Sequence, residues 1–309
     1  MKGSFLQNTW KHRAHLIMCI PAVAILLLFC YMPIAGLVMA FKSFDMRLGI
    51  WGSPWNGLDN FKFLLASSDA FWRMTRNTLM YYGIFTVIGT SLNIILAISI
   101  DQFVFKKVGK VYQSIMIIPV FISYAAVTFI VSAFLRSGST SNGLINNIVM
   151  AFGGKSTSWY TSPQYWPVIL TIVKIWNSVG YGSVLYMSVL AGIDTELYEA
   201  AQIDGATKWK QITKITLPSL VPMITIMLLL SVGNIMRSDT GLFYQVTRDS
   251  GILYKTTQVI DSYVLHSIYY VSDFGFTAAT SLYQSVIGLV MILIANGVVR
   301  KLAPENSLF

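Results

Sequence analysis

Long apolar stretches alternate with shorter polar ones along almost the entire sequence. A transmembrane helix needs about 20 mostly apolar residues, and six stretches reach that length: residues 16–41, 78–100, 111–135, 166–192, 218–236 and 276–299. Pro21, Pro33 and Pro119 interrupt the first and third stretches, and each predicts a bend because proline removes a helical hydrogen bond. The pattern therefore predicts an all-α integral membrane protein with six transmembrane helices.

The polar stretch between the fourth and fifth apolar runs reads EAAQIDGATKWKQITKITLP and covers residues 199–218. Asp194 and Glu196 precede it, and acidic side chains are typical of the start of a helix. Gly205 is expected to end that helix, because glycine adopts a positive φ at little cost. Pro218 is then expected to stop a second short helix and to open the fifth span. The stretch is thus predicted to form two short helices that meet at Gly205.

A longer polar segment, residues 237–275, follows the fifth apolar run. It contains an apolar stripe at helical spacing, formed by Val259, Ile260, Tyr263, Val264 and Ile268. Such a stripe suits a helix that lies on a membrane or on a protein surface. We therefore expect this segment to lie on a surface rather than to cross the bilayer.

Composition supports the membrane assignment. Of the 309 residues, 55% are hydrophobic and 11% are charged, whereas soluble domains carry about 25% charged residues. The formal net charge is +9, but basic residues such as Lys2, Lys11 and Arg13 are spread over short segments between apolar runs. Anionic headgroups and the positive-inside bias explain such dispersed charge better than nucleic-acid binding does. We expect a lipid bilayer, and no nucleic acid, among the partners.

No arrangement of side chains in the sequence suits catalysis or metal binding. Cys19 and Cys30 lie on one predicted helix, about 16 Å apart by helical rise, which is too far for a disulfide. His12, His15 and His266 are scattered along the sequence. Neither a Ser/His/Asp set nor paired carboxylates fall inside the apolar runs. The sequence therefore predicts no metal and no cofactor, and it gives little support to catalysis within the membrane.

Residues 199–218 resemble a known motif. Glu199-Ala200-Ala201, Gly205, Ile215 and Leu217-Pro218 match in type and spacing the EAA loop of permease subunits in binding-protein-dependent ABC importers, although Ile212 stands where that family often has phenylalanine. In that family the loop is cytoplasmic and docks in a groove of a separate ATPase subunit. The resemblance implies coupling to an ATPase through Glu199, Ala200, Ala201, Asp204, Gly205, Ala206, Trp209, Ile215, Leu217 and Pro218.

A second resemblance covers the polar segment after the fifth run. Residues 237–245 (RSDTGLFYQ) and 256–263 (TTQVIDSY) are similar to the polysaccharide branch of sugar permeases, in which Ser238 and Thr240 are more commonly glycine and phenylalanine. This likeness implies that an extracellular binding lipoprotein delivers a complex carbohydrate. The alternative is that the segment docks the binding protein and contacts no sugar.

Polar side chains in or beside the apolar runs are candidates for a translocation pathway, because an intramembrane polar group is costly. Lys174, Asn177 and Tyr181 share one face of the fourth predicted helix. Alternatively, Lys174 extends to the headgroups or is satisfied by a neighbouring helix, and Arg237 and Asp239 form a local ion pair. The full set of pathway candidates is Lys174, Asn177, Tyr181, Asn234, Arg237, Asp239 and Tyr283.

Three aromatic residues, Tyr124, Trp176 and Tyr283, offer faces on which sugar rings could stack. The alternative for each is packing within the helices, which is the commoner use of aromatic side chains in spans. Asn234 likewise has an alternative as an amide that joins two helices.

The resemblance to importers implies a type I ABC importer permease fold with six transmembrane helices and a cytoplasmic coupling-helix loop. We expect three regions: residues 1–71 with the first transmembrane helix and first outer segment, 72–301 as the core permease domain with the loop at 194–218, and a tail at 302–309. Both termini are expected on the cytoplasmic side of a bacterial plasma membrane. The implied partners are a second, different permease subunit, cytoplasmic ATPase subunits, an extracellular solute-binding lipoprotein and a carbohydrate.

Two other classes of protein fit parts of the pattern. An ion-coupled secondary transporter of a small solute would require carboxylates at mid-membrane, and none of Asp101, Asp194, Asp239 and Asp273 falls well inside a predicted span. A membrane enzyme acting on lipid-linked sugar would require clustered acids or histidines, which the sequence does not show.

Overall fold

The computed structural model describes residues 12–62, 69–102, 106–138 and 142–307, without the side chains of His15 and Lys106. Lys2, Lys11 and the last two residues of the predicted C-terminal tail lie outside the described residues. Within those ranges the chain is helical, and its β-structure is an isolated bridge between Lys42 and Trp55. The helices are α1 (Arg13–Leu26), α2 (Asp69–Asp101), α3 (Lys106–Ile117), α4 (Tyr124–Leu135), α5 (Leu144–Ala151), α6 (Trp166–Leu190), α7 (Thr195–Ile203), α8 (Lys208–Gln211), α9 (Leu217–Val232), α10 (Ile260–Tyr270) and α11 (Phe274–Leu302), with single turns at Gly49–Gly52 and Tyr254–Thr257.

Five helical segments of the described chain are long and apolar enough to cross a membrane: Leu16–Phe41, Asp69–Asp101, Pro163–Leu190, Lys208–Val232 and Phe274–Leu302. A bent pair, Lys107–Phe121 and Tyr124–Leu135, makes a sixth span when it is counted as one. The first span changes its helix type rather than only bending, because α1 continues as a π-helical turn at Leu27–Tyr31 and as a 3₁₀ helix at Met32–Phe41. The predicted all-α membrane architecture is confirmed.

The third predicted span is broken rather than kinked. Its first half ends in a 3₁₀ turn at Ile118–Phe121, and it meets α4 at an angle of 98°. Ser123 begins α4 by accepting a hydrogen bond from the Ala126 N–H at 3.4 Å. The amide of Asn177 in α6, only 7% exposed, donates to the carbonyl oxygen of Pro119 at 2.8 Å. A break at membrane depth needs such an internal partner for its backbone, and α6 provides it.

The fifth span begins at Lys208 instead of Pro218. The four residues of α8 pass directly into α9 through a π-helical turn at Ile212–Thr216. The prediction that Pro218 stops the preceding helix is therefore wrong. A π turn shifts the hydrogen-bond register of the helix, so the missing N–H of Pro218 falls where the ladder is already shifted. The second half of the polar stretch is consequently the end of a transmembrane segment.

The chain separates into two compact units, and the first comprises residues 1–66 and 267–283. In its described part Ala40 packs with Ala278 and Ala279. The side-chain amide of Asn60 donates to the carbonyl oxygens of Ala40 at 3.0 Å and of Lys42 at 2.9 Å. Small side chains allow this close packing, and the amide satisfies the carbonyl groups at the end of the first span.

The second unit comprises residues 67–266 and 284–309 and contains the larger core. The ring of Tyr81 meets that of Phe243 edge-on, with 4.7 Å between the centroids, and the Tyr81 hydroxyl donates to the Thr256 carbonyl oxygen at 2.9 Å. The buried members of this core are Tyr81, Val127, Val131, Leu135, Trp166, Leu170, Val173, Leu242, Phe243, Val246, Leu253 and Val259.

The stripe at residues 259–268, whose pattern suits a membrane or a protein surface, begins in this core. Val259 is 0% exposed and Ile260 is 2% exposed. The Ile260 N–H donates to the hydroxyl of Thr78 in α2 at 3.2 Å, and Asn77 donates to the Gln258 carbonyl oxygen at 3.0 Å. The start of the stripe therefore packs against α2, which is one of the two kinds of surface that its pattern suits.

Candidate functional site: a helical hairpin and a polar cavity

The first candidate site is a helical hairpin, which we define as residues 194–218. Its first helix, α7, starts at Asp194, whose carboxylate accepts a hydrogen bond from the Glu196 N–H at 3.0 Å. The cap predicted from the sequence is therefore confirmed. Its second helix, α8, starts at Thr207, whose hydroxyl accepts from the Lys210 N–H at 3.4 Å. Each short helix thus carries its own N-terminal cap.

The turn between the two helices forms at Gly205, as predicted. Its φ is +72°, a left-handed conformation that is unfavourable for residues with a Cβ. The Ala206 N–H donates to the Ala201 carbonyl oxygen at 2.8 Å, and the Gly205 N–H donates to that of Gln202 at 3.0 Å. This is the Schellman arrangement, which satisfies the last carbonyl groups of α7. The geometry requires glycine or a residue that tolerates positive φ.

A hydroxyl contact joins the two limbs of the hairpin. The Tyr198 hydroxyl of α7 lies 3.0 Å from that of Thr216, which is fully buried in the π turn before α9. Ile193, just before α7, packs on a buried cluster formed by Ala97, Tyr186, Leu190 and Leu220. The hairpin is therefore attached to the ends of α6 and α9, so a force on it reaches both spans.

Much of the hairpin surface is exposed and includes large apolar side chains. Ile203 is 87% exposed, Trp209 71% and Leu197 53%. Large exposed apolar side chains on a short, mostly polar segment are a feature of interaction surfaces. Of the ten predicted coupling residues, Glu199, Ala200, Asp204, Gly205, Trp209 and Pro218 are exposed, and Ala201, Ala206, Ile215 and Leu217 are half-buried.

The second candidate site is centred on an ion pair between two residues that are 65 positions apart in the sequence. The ammonium group of Lys174 in α6 lies 2.9 Å from the carboxylate of Asp239, and the two side chains are 27% and 28% exposed. The hydroxyl of Tyr124 at the start of α4 donates to the same carboxylate oxygen at 2.8 Å. The alternative of a local pair between Arg237 and Asp239 is wrong, because Asp239 binds Lys174 instead. Of the two alternatives for Lys174, the structure favours the one in which a group on a neighbouring segment pairs with its charge.

This ion pair lines a cavity of about 460 Å³, which we call the polar cavity. The lining contains two cations, Lys174 and Arg237, and one carboxylate, Asp239. Arg237 donates to the Ser285 hydroxyl at 3.3 Å. Besides these three charged residues the cavity is lined by Thr78, Tyr81, Tyr82, Phe85, Thr86, Ser231, Asn234, Ser238 and Phe243. Hydroxyl, amide and charged groups next to aromatic rings can bind a polar solute that has apolar faces.

Further side chains form hydrogen bonds to the non-helical segment that carries Asp239. Both the N–H and the hydroxyl of Ser238 donate to the Asp261 carboxylate, at 2.6 and 2.8 Å. The Gln284 amide donates to the Met236 carbonyl oxygen at 2.7 Å and to Asp261 at 3.2 Å. Irregular backbone inside a membrane protein is tolerated where it lines a cavity and has partners, and both conditions are met here.

Four of the seven predicted pathway residues meet at the polar cavity, namely Lys174, Asn234, Arg237 and Asp239. Asn177 does not, because its buried amide holds the Pro119 carbonyl group. Tyr181 is 60% exposed and is absent from the cavity lining. Tyr283 is half-buried in the other compact unit. One predicted face of α6 is thus divided between helix packing and the cavity.

Sequence reasoning missed several residues that build the two sites. Asp261 and Gln284 form hydrogen bonds to the non-helical segment that carries Asp239. The Tyr82 hydroxyl lies 2.9 Å from that of Ser231. Thr207 caps α8. Of these, the Thr207 cap had a local signal, a threonine directly after the helix-ending turn. The others depend on contacts between distant segments.

A family model described as the inner membrane component of binding-protein-dependent transport systems matches residues 89–304. This range contains the hairpin and most of the polar cavity. The chain is 28% identical to Protein LplB of Bacillus subtilis, over 94% of this chain and 89% of that protein. It is 27% identical to the polygalacturonan/rhamnogalacturonan transport system permease protein YteP of the same species, over 94% of this chain and 88% of that protein.

Two solved structures share the fold. A bacterial ABC transporter involved in the import of the acidic polysaccharide alginate contains a chain that is 30% identical, with a TM-score of 0.85 over 97% of this chain and 100% of that chain. The alginate transporter in complex with a periplasmic protein bound to an alginate pentasaccharide also matches with a TM-score of 0.85, over 97% and 98%. The predicted type I importer permease fold, multi-pass membrane location and transport role are confirmed. The chain belongs to the family of inner membrane components of binding-protein-dependent transport systems.

Proposed function

We propose that this chain is a permease subunit of an ATP-driven importer of oligosaccharides. In this proposal it pairs with a second, different permease subunit, with cytoplasmic ATPase subunits and with an extracellular solute-binding lipoprotein. Similarity to a polygalacturonan/rhamnogalacturonan permease and to an alginate importer supports a saccharide as the cargo. The observation that carries the proposal is the exposed, internally capped hairpin joined to the ends of two spans.

The hairpin is proposed to bind the ATPase. Ile203 and Trp209 are exposed apolar side chains on a segment that is otherwise polar, and a groove on a partner would cover them. Glu199 is exposed on α7 and supplies a charge for that contact. Because α8 continues into α9, movement of the bound ATPase would tilt the fifth span directly. ATP binding would in this way alternate the access of the cavity between the two sides of the membrane.

The orientation follows from this role. If the hairpin binds a cytoplasmic ATPase, then both termini lie in the cytoplasm, provided that the bent pair counts as one of six spans. We propose residues 72–301 as the core permease region, preceded by residues 1–71 with the first span and followed by the tail at 302–309.

The polar cavity is proposed to form part of the translocation pathway. Its hydroxyl, amide and charged groups can exchange hydrogen bonds with sugar hydroxyls, and the rings of Tyr82 and Phe85 offer apolar faces. Lys174, Asn234, Arg237 and Asp239 are the pathway residues in this proposal. Asn177 is proposed to support the helix break instead.

Purification in a mild detergent tests the assembly. The tagged chain is expected to carry with it a nucleotide-binding subunit and a second permease. The reconstituted complex should hydrolyse ATP several-fold faster when a saccharide-loaded binding protein is added. A chain that purifies without these subunits and still moves saccharide with no ATP hydrolysis would contradict the proposal.

An ion-coupled transporter is the second candidate, and one observation favours it. The carboxylate of Asp239 reaches a lysine within α6, and carboxylates at membrane depth serve as proton carriers in many secondary transporters. Dissipating the proton gradient while ATP is kept constant separates the two candidates. Continued uptake supports the ATP-driven importer, whereas uptake that stops with the gradient supports ion coupling.

A further inference from the structure

A second cavity lies at the end of the spans opposite the hairpin. Its volume is about 340 Å³, and it is lined by Ser132, Arg136, Ser137, Tyr160 and Arg248. These residues come from the end of α4, from the 3₁₀ turn before α6 and from the turn after the π-helical segment at residues 241–246. The hairpin follows the other end of α6, which has 25 residues and is therefore about 37 Å long. We call this space the distal cavity.

The distal cavity carries an excess of positive charge. Among the described residues that line it are two guanidinium groups and no carboxylate. Within the described ranges neither Arg136 nor Arg248 forms an ion pair with an acidic side chain. Arg248 instead lies over the ring of Tyr160, 4.7 Å from its centroid. Unneutralised arginines in a concave site attract anions, and a guanidinium can bind a carboxylate through two parallel hydrogen bonds.

The wall of the distal cavity also contains a hydroxyl without a partner. The Tyr160 hydroxyl is buried and has no hydrogen bond in the described part of the chain. Burial raises the pKa of Tyr160, although Arg248 lowers it, so the hydroxyl keeps its proton and can donate. Ser132 and Ser137 add two more hydroxyl groups. A ligand rich in oxygen acceptors fits these donors.

The turn that presents Arg248 is strained and held in place. Arg248 and Asp249 have φ values of +57° and +46°, which are uncommon for residues other than glycine. The carboxylate of Asp249 accepts from the Tyr254 hydroxyl at 2.7 Å and contacts the His266 ring at 2.7 Å. Strained backbone that is fixed by surrounding contacts positions a side chain accurately. Arg248 is therefore presented on a fixed turn rather than on a free loop.

We infer that the distal cavity binds the carboxylate of an acidic saccharide, a chain that contains uronic-acid units. The inference rests on the proposed function and narrows it, since it names the class of saccharide that the importer carries. The two guanidinium groups bind the carboxylate, and the serine and tyrosine hydroxyls bind neighbouring sugar oxygens. The cavity volume is at the lower end of small-molecule sites, so it holds a short stretch of the chain.

Direct binding to the assembled importer tests the inference. The importer is placed in lipid nanodiscs without its binding protein and titrated with trigalacturonate, or with maltotriose as the uncharged probe, at low ionic strength. Trigalacturonate should bind and maltotriose should not. Arg136→Gln and Arg248→Gln should each weaken the affinity for trigalacturonate by about tenfold, which is typical for the loss of one charged hydrogen-bond donor. Lys155→Gln is the control, because it removes an exposed positive charge that does not line the cavity.

Other outcomes overturn the inference. Equal binding of both probes would do so, and so would arginine variants that bind trigalacturonate as the unaltered importer does. If those variants lower only the ATP hydrolysis that the binding protein stimulates, the cavity docks an acidic side chain of that protein and binds no sugar. Each of these results leaves the proposed function intact as long as a saccharide-loaded binding protein still stimulates ATP hydrolysis. Loss of that stimulation in the unaltered importer would contradict the proposed function itself.

Discussion

The hairpin and the polar cavity are built from contacts of different range. In the hairpin, Asp194 and Thr207 bond to N–H groups two and three residues away. In the cavity, Asp239 bonds to Lys174 across 65 residues of sequence and to Tyr124 across 115. The hairpin can therefore keep its shape while it moves with α9. The cavity cannot, because Asp239 joins the segment after α9 to both α4 and α6.

Because of this difference, the two sites have different roles in the proposed transport cycle. A locally held hairpin transmits force without changing its own structure. A cavity held by three segments changes its shape when one of them moves, because its ion pair and hydrogen bond must lengthen or break. The hairpin should therefore tolerate changes that keep its local geometry, whereas the cavity should be sensitive to changes in any one of its partners.

The largest effect is expected from Gly205→Val. The added Cβ would meet open space, so the effect comes from the φ of +72°, which a β-branched residue adopts only at high cost. We expect uptake to be abolished while the subunit still inserts in the membrane, as measured by uptake of labelled saccharide and by membrane fractionation. Gly205→Asn is the matched control, because asparagine tolerates this conformation, and it should retain most of the uptake. Normal uptake by the valine variant would show that the turn is not needed for coupling.

Asp239→Asn should have the next largest effect. It leaves the ammonium group of Lys174, which is 27% exposed, without its counter-charge. Removing one partner of a fully buried ion pair lowers the free energy of unfolding by about 3–5 kcal/mol. Because this pair is partly exposed, we expect a loss of about 1–2 kcal/mol. Thermal unfolding of the purified importer measures this loss. The double variant Lys174→Met and Asp239→Asn should recover part of it, since no unpaired charge is left. A double variant that is less stable than the single one would argue against the pair.

Asn177→Ala tests whether Asn177 serves helix packing or the translocation pathway. The buried amide donates to the Pro119 carbonyl group, and its loss should lower stability by about 1–2 kcal/mol. Saccharide preference should not change, because Asn177 does not line the polar cavity. Ser178→Ala is the control, since the Ser178 hydroxyl bonds only within its own helix, to the Lys174 carbonyl oxygen. Competition between saccharides in an uptake assay provides the test, and an altered preference would return Asn177 to the pathway.

Thr207→Ala should have the smallest effect. It removes the cap of α8, whose hydrogen bond is long at 3.4 Å. Loss of an N-terminal cap typically costs about 0.5–2 kcal/mol, and we expect the lower end of that range because α8 is continuous with α9. The measurement is ATP hydrolysis per molecule of saccharide transported, which should rise slightly as coupling loosens. Thr207→Ser keeps the cap and should behave as the unaltered chain does.

The contrast between the two sites also explains what the sequence could predict. Spans follow from apolar runs, and the Asp194 cap and the Gly205 turn follow from preferences of single residues in a short window. The ion pair between Lys174 and Asp239 does not, because many pairings were open to each charge until the fold brought them together. The break after Pro119 and the continuous helix through Pro218 were missed for a related reason. Proline shows where a helix is perturbed, but the neighbouring Asn177 and the π turn decide the outcome.

Crosslinking from the hairpin tests the central proposal most directly. A photoreactive thiol reagent is attached to Ile203→Cys, a position that is 87% exposed, in a chain whose natural cysteines are replaced by Cys19→Ser and Cys30→Ser. The reagent is then activated in membranes from cells that import the saccharide. We expect a crosslink to a nucleotide-binding polypeptide, and its yield should change when ATP is added. A crosslink only to lipid while uptake is normal, or labelling of this position from outside intact cells, would contradict the account.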